Sequence, residues 1–159
     1  MKNKKILVIA AHPDDELLGC GGSLAKLSKQ GCNIFALFFT DGVSSRDKNN
    51  KIEISKRQKN SLKSLKILGV KYSKFLTFPD NSLDKVPLIN IVKEIEVVIK
   101  KFRPSVIFTH SNVDLNIDHE IISRAVVTAT RPKPKFCVKK IFLFETLSST
   151  EWNFNLKKK

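Results

Sequence analysis

The chain has 159 residues, 42% of them apolar and 28% charged, and carries a formal net charge of +14. That length suits a single domain with a true core, and no apolar run approaches what a membrane-spanning helix needs. Cys20, Cys32 and Cys137 form no CxxC pair and leave an odd thiol, which argues against a disulfide framework and for the cytoplasm.

Strand and helix signals alternate along the chain. Residues 5–11 form a continuous apolar run, as expected of a strand buried on both faces. Its basic lead-in looks like a secretory leader, but the run is short and passes straight into His12-Pro13-Asp14-Asp15-Glu16 without a small-residue cleavage pattern. Gly19-Cys20-Gly21-Gly22 reads as a turn into a short helix around 22–30, closed by Gly31. A second strand covers 33–40 and ends at Thr40-Asp41-Gly42. The polar residues 43–51 read as a loop long enough to lie over a site. A helix over 53–68 sets Leu62, Leu65 and Leu68 at helical spacing and stops at Gly69. Residues 73–78 make a third strand before Pro79-Asp80-Asn81. Pro87 suits the first turn of the next helix, where apolar residues from Leu88 to Phe102 recur every three or four positions until Pro104. Residues 105–109 form a fourth strand that delivers His110. A helix over 119–129 buries Ile121, Ile122, Ala125, Val126 and Ala129, and 141–144 form the last strand. No repeat or domain-type linker interrupts the series. The alternation predicts an α/β fold, a Rossmann-like three-layer α/β/α sandwich with a mostly parallel sheet, as one domain over 1–159.

Two polar clusters fall just past buried strands, where open α/β sheets bind their ligands. The first is His12-Pro13-Asp14-Asp15-Glu16; the second is His110, Asp114, Asp118 and His119. Imidazoles and carboxylates gathered there suit a hydrolytic metal ion, with Zn2+ expected and another divalent metal the alternative. His12 and Asp15 stand three apart and face the same way on a tight turn or opening helix. The leading third ligand is His119, and Asp14 beside the pair is free to handle protons. The plainer alternative is that Asp14, Asp15 and Glu16 charge a helix N-terminus and that Asp118 is the N-cap of a helix starting at His119.

The net charge raises nucleic-acid binding as an alternative, a basic Rossmann module. The lysines are spread over the whole chain, however, and one Trp and one Tyr offer little for base stacking. Attraction to anionic sugar carriers, or peripheral association with a membrane surface, is a milder use of the same charge. Dinucleotide binding fails at the first turn, where three carboxylates occupy the place of the glycine fingerprint and would repel phosphate.

The AHPDDE of residues 11–16 with the glycines of 19–22 resembles the PIG-L/LmbE family of zinc-dependent N-acetylsugar deacetylases. Thr109-His110 and Asp114-Leu115-Asn116-Ile117-Asp118-His119 look like that family's second metal motif, and Thr130-Arg131-Pro132 and residues 145–152 resemble members associated with surface-polysaccharide synthesis. The resemblance implies His12, Asp15 and His119 as metal ligands and Asp14 as general base. It also implies hydrolysis of the acetamide of an N-acetylglucosamine-type sugar, free or carrier-linked. Many relatives have a histidine where this chain has Asn116, thought to steady the oxyanion. An amide there still donates a hydrogen bond but carries no charge, and His110 is expected to share the task. Relatives also continue past the Trp152 segment, so the C-terminal part of the family domain is expected to be missing here, which leaves a weakly active metal- or sugar-binding fragment as an alternative.

Other residues keep two readings. Asp118 either orients His119 or caps its helix. His110 either touches the reaction or is a satisfied polar residue at a strand end. Arg57 and Arg131 either grip sugar hydroxyls or a phosphate, or are surface arginines. Asp41 either touches the sugar or makes the turn with Gly42. A last strand left exposed invites pairing with a second copy, a homo-oligomer.

Overall fold

β1 (Lys5–Ala10) is buried from Ile6 onward because it runs in the middle of the sheet, paired in parallel with β2 (Asn33–Phe38) on one side and β4 (Val106–His110) on the other. The computed structural model describes residues 3–46, 50–132, 138–147 and 149. β3 (Tyr72–Phe75) and β5 (Lys140–Phe144) complete a parallel sheet in the order β3-β2-β1-β4-β5.

Alternation along β1 divides the core, since successive strand residues point to opposite faces. Ile6, Val8 and Ala10 meet α1 (Asp15–Lys29) and α2 (Lys51–Leu68) through Cys20, Leu24, Leu27, Leu65 and Leu68. Leu7 and Ile9 meet α3 (Leu88–Phe102) and α4 (Ile117–Ala129) through Ile91, Val92, Ile95, Ile122 and Val126. The three-layer α/β sandwich with a parallel sheet is therefore present. The strand order reverses between β1 and β4, which opens a crevice at their carboxyl ends.

Helix ends follow the local chemistry. Gly69 closes α2 in the left-handed conformation (φ 73°), which costs glycine nothing. Arg103 ends α3 in the same region, just before Pro104 forbids continuation.

The reading of 19–22 as a turn is corrected. α1 starts at Asp15, and Gly19, Gly21 and Gly22 are helical. The glycine at 19 serves packing rather than turning, because a Cβ there would collide with the Phe144 ring of β5. α4 likewise starts two residues earlier than expected, with Asn116 as its cap. The second and third strands end sooner than the sequence suggested, at Phe38 and Phe75. Leu62 lies on the exposed side of α2. β5 is an edge strand, with Ile141, Phe142 and Leu143 36–50% exposed. Glu151 and Trp152 lie outside the described residues.

Candidate functional site

β1 ends at Ala10 and the chain turns through Pro13 into α1, which brings His12 and Asp15 to the crevice. The turn is strained at Asp14, whose φ of 120° and ψ of −23° lie where side-chain-bearing residues rarely sit. Such a conformation costs on the order of 1–3 kcal/mol and persists only when its surroundings over-determine it. Here the Asp14 carbonyl accepts the Leu17 and Leu18 N–H groups, and its own N–H donates to Glu16 Oε2 at 3.0 Å. Its carboxylate takes both oxygens to Arg57 Nη2 at 2.9 Å. Asp14 thus stands at the N-cap position without capping.

Opposite, β4 ends in His110 and α4 begins with Asn116, whose side-chain oxygen accepts the Asp118 and His119 N–H groups. That cap aims His119 back across the crevice. His12 Nδ1, Asp15 Oδ2 and His119 Nε2 form a near-equilateral triangle with edges of 3.2, 3.2 and 3.3 Å. Ligands bonded at about 2.0–2.1 Å to a tetrahedral zinc stand roughly 3.3–3.4 Å apart, so the donor set and its spacing fit such an ion.

The far side of each imidazole explains why its near nitrogen is available. His12 Nε2 lies 3.2 Å from Asp118 Oδ2 and 3.3 Å from Asp80 Oδ1. His119 Nδ1 lies 3.1 Å from Asp114 Oδ2 and 3.3 Å from Ser149 Oγ. A proton held on each far nitrogen by a carboxylate leaves a lone pair on the near one, as in many metal sites. The His12 backbone N–H donates to Asp15 Oδ2 at 2.9 Å, but nothing donates to the two facing ring lone pairs, a clash that a cation would relieve. His12, Asp15 and His119 are one such group, and His110 with Asp114 and His119, or His12 with Asp80 and Asp118, also bring three ligand atoms together. The first is favoured because Asp114, Asp80 and Asp118 are engaged elsewhere.

In the bare protein the same field favours protons on the imidazoles. Burial lowers the His12 pKa, but the hydrogen bonds its ring donates to the Asp118, Asp15 and Asp80 carboxylates carry it up to about 11. Burial would also raise the Asp15 pKa, yet His119 and His12 hold it well below the ordinary carboxylate value. Burial pushes Asp14 up, and the Arg57 guanidinium opposes it.

The remaining residues separate. Asp118 is not a cap. It lies inside α4, fully buried, and accepts the Asn81 and Leu83 N–H groups at 2.7 and 3.0 Å while facing His12, so it orients His12 rather than His119. His110 is wholly buried beneath the site, stacked on His119 with ring centres 3.9 Å apart, and its Nε2 accepts the Ala11 N–H. Burial drops its pKa to about 3, so the ring is neutral, and no part of it is exposed to the cleft. Asn116 lines the cleft, but its oxygen is spent on the cap.

Arg57 reaches the cleft, tied to Pro13 O and Gly42 O at 3.1 Å each besides Asp14. Asp41 makes the turn instead of facing the crevice, accepting the Val43 and Ser44 N–H groups at 2.7 Å. Arg131 is not brought to the site. It follows the C-terminus of α4, the end opposite His119, and pairs with Glu96 at 2.9 Å.

Sequence reasoning passed over Asp80 and Ser149 and gave Asp114 no role. Asp80 accepts from Thr40 Oγ1 and the Ser45 N–H and so fixes the 40–45 loop beside His12. Its position just after the third strand carried the same signal that singled out His12 and His110. Ser149 lies in the family-like segment 145–152, but only the chain's return past β5 brings it to His119.

These groups line a cleft of about 640 Å³ that also includes Leu18, Ser45, Arg46 and Asn81. A partly buried carboxylate beside three converging ligand atoms that could hold a cation, in one cleft, is an arrangement that could hydrolyse a polar bond.

Comparison with known proteins agrees. The model of the PIG-L family, described as GlcNAc-PI de-N-acetylase, matches residues 7–130, which contain both clusters and end before Arg131. The chain is 36% identical over 139 residues to the uncharacterized deacetylase YaiS of Escherichia coli (strain K12), covering 84% of this chain and 72% of that one. It is 32% identical over 139 residues to a probable N-acetyl-alpha-D-glucosaminyl L-malate deacetylase 2 of Bacillus cereus, covering 83% and 63%. The crystal structure of the conserved protein TT1542 from Thermus thermophilus matches with a TM-score of 0.76 and 30% identity, covering 89% of this chain and 66% of that one. The chain thus spans roughly two thirds of the length of these relatives.

Proposed function

We propose that this chain, which belongs to the PIG-L family, is a metal-dependent hydrolase that removes the acetyl group from an N-acetylglucosamine-type sugar conjugate. The observation that carries the reading is the triangle of His12 Nδ1, Asp15 Oδ2 and His119 Nε2 beside the Asp14 carboxylate. His12, Asp15 and His119 would hold the ion, with zinc the expected metal from the mixed nitrogen and oxygen set. When bound, such an ion polarises a carbonyl and acidifies water.

The protein's own groups supply the rest. Asp14 accepts the proton of the attacking water on a carboxylate oxygen and returns a proton to the departing nitrogen, which gives acetate and a free amine. Its raised pKa makes it a better base than an ordinary aspartate, while Arg57 keeps it ionised. Asp118 and Asp80 fix the His12 ring, and Asp114 and Ser149 fix that of His119, so the triangle exists before substrate arrives. Arg46 and Arg57 line the cleft and would donate hydrogen bonds to sugar hydroxyls.

Among the described residues no helix is long and apolar enough to cross a membrane. A cytoplasmic role in surface-polysaccharide or glycoconjugate synthesis is the setting we propose, and the names of the relatives support the sugar class rather than the carrier.

The test is acetate release from a panel of free, nucleotide-linked and lipid-linked N-acetylglucosamine, with metal content measured on the same sample. Acetate release that is lost in Asp14→Asn, with the metal retained, supports the assignment. A metal-loaded protein that releases no acetate from any member of the panel would sink it.

A further inference from the structure

We propose that the outer face of α2 docks the protein on an anionic lipid surface. Six of the residues in α2 are basic and Glu53 is its sole acid. Its inner side buries Ser61, Leu65 and Leu68 against the sheet and α1. On the opposite side Ile52, Lys56, Lys59, Lys63 and Lys66 recur at steps of four and three, which aligns them in one stripe. All five are exposed, and Ile67 flanks the end of the stripe. The two isoleucines are the extreme cases, Ile52 83% and Ile67 84% accessible, on a helix whose buried apolar residues are Leu65 and Leu68. Lys51, Ile52, Lys56, Lys59 and Lys63 also line a shallow depression of about 600 Å³.

A helix with lysines along one stripe and aliphatic side chains standing proud among them has the composition of an element that lies in the interface of a bilayer. The ammonium groups meet phosphate headgroups and the apolar tips enter the acyl boundary. A second copy of the chain is disfavoured, since two lysine stripes would repel. Nucleic acid would use the charge but has no use for two exposed isoleucines, and α2 brings no aromatic side chain for base stacking. α2 also carries Arg57 into the cleft, so a surface held by this helix lies next to the catalytic groups. This inference goes beyond the deacetylase reading and is testable without any substrate.

The experiment is sedimentation of the full chain with phosphatidylcholine vesicles, with and without about 30% phosphatidylglycerol, near physiological ionic strength. The wild type is expected on the anionic vesicles and not on the neutral ones. Each lysine brought to such a surface strengthens binding about fivefold, so Lys59→Glu with Lys63→Glu should weaken it at least about twentyfold. Lys100→Glu with Lys101→Glu, the same charge change on exposed positions of α3, should leave it within about twofold. Ile52→Ser with Ile67→Ser, which keeps the charge, should weaken it several-fold.

Failure to bind anionic vesicles overturns the proposal, and so does equal loss in the α2 and α3 charge variants. Duplex DNA bound with dependence on Lys59 and Lys63, but indifferent to Ile52 and Ile67, would assign the face to nucleic acid and overturn it too. Circular dichroism of each variant separates these outcomes from unfolding.

Discussion

His12 and His119, 107 residues apart in sequence, bring Nδ1 and Nε2 to within 3.2 Å of each other, both aimed at Asp15 Oδ2. Two ring nitrogens that close, each backed by a carboxylate on its other side, need a proton or a cation between them. In the bare chain a proton must sit among them. In the loaded chain a cation replaces it.

Metal binding is therefore expected to release protons. With His12 raised to about 11, its imidazole is protonated at neutral pH in the bare chain, and the ion has to displace that proton. Affinity should fall as pH is lowered, and calorimetry in buffers of different ionisation enthalpy should show proton release. At an ion concentration a hundredfold above Kd the gain is about 2.7 kcal/mol. That raises Tm by roughly 5–10 °C for a chain of this size. His119→Ala should abolish the rise.

Asp114→Asn removes the charge behind His119 Nδ1 while keeping an acceptor for the Asn116 N–H. Loss of such a supporting carboxylate typically costs about 10–100-fold in metal affinity. Chelator competition should show that loss with little change in the Tm of the bare chain. Unchanged affinity would mean that Asp114 does not set the ring.

The acid limb of the activity profile should report Asp14, which has to be ionised to take a proton. Activity is then lost as pH falls through a pKa that burial raises and Arg57 lowers. Arg57→Met removes the lowering influence, so the limb should move to higher pH. Asp14→Asn should abolish it and reduce kcat by about 10²–10⁴. A limb that stays in place in Arg57→Met would assign it to another group.

Gly19→Ala tests the corrected helix start. Alanine is the better helix former by about 1 kcal/mol. A methyl group at 19 would meet the Phe144 ring, and overpacking of this kind costs about 1–3 kcal/mol. A net loss of Tm is expected, with partial recovery when Phe144→Leu is added. A rise in Tm would show that α1 and β5 do not press together here.

Much of the fold was legible because apolar periodicity is a local property. α3 runs from Leu88 to Phe102, as its three- and four-residue spacing requires, and β1 is buried on both faces, as an unbroken apolar run implies. The convergence of His12, Asp15 and His119 was legible for a related reason: strand ends in a parallel sheet point to one crevice, and all three follow such ends. Glycines 19–22 were misread because a turn and a close helix contact demand the same residue, and only Phe144, 125 positions away, distinguishes them.

The sequence by itself determined the layer architecture and the chemical kind of the centre, since hydrophobic period and ligand type are written residue by residue. The tertiary structure alone decided the working partners of each group. It gave Asp118 to His12 rather than to a helix end, sealed His110 under its neighbour's ring, sent Arg131 to Glu96, and brought Asp80 and Ser149 to the imidazoles. Those assignments depend on distances between segments far apart in the chain, which no local pattern encodes.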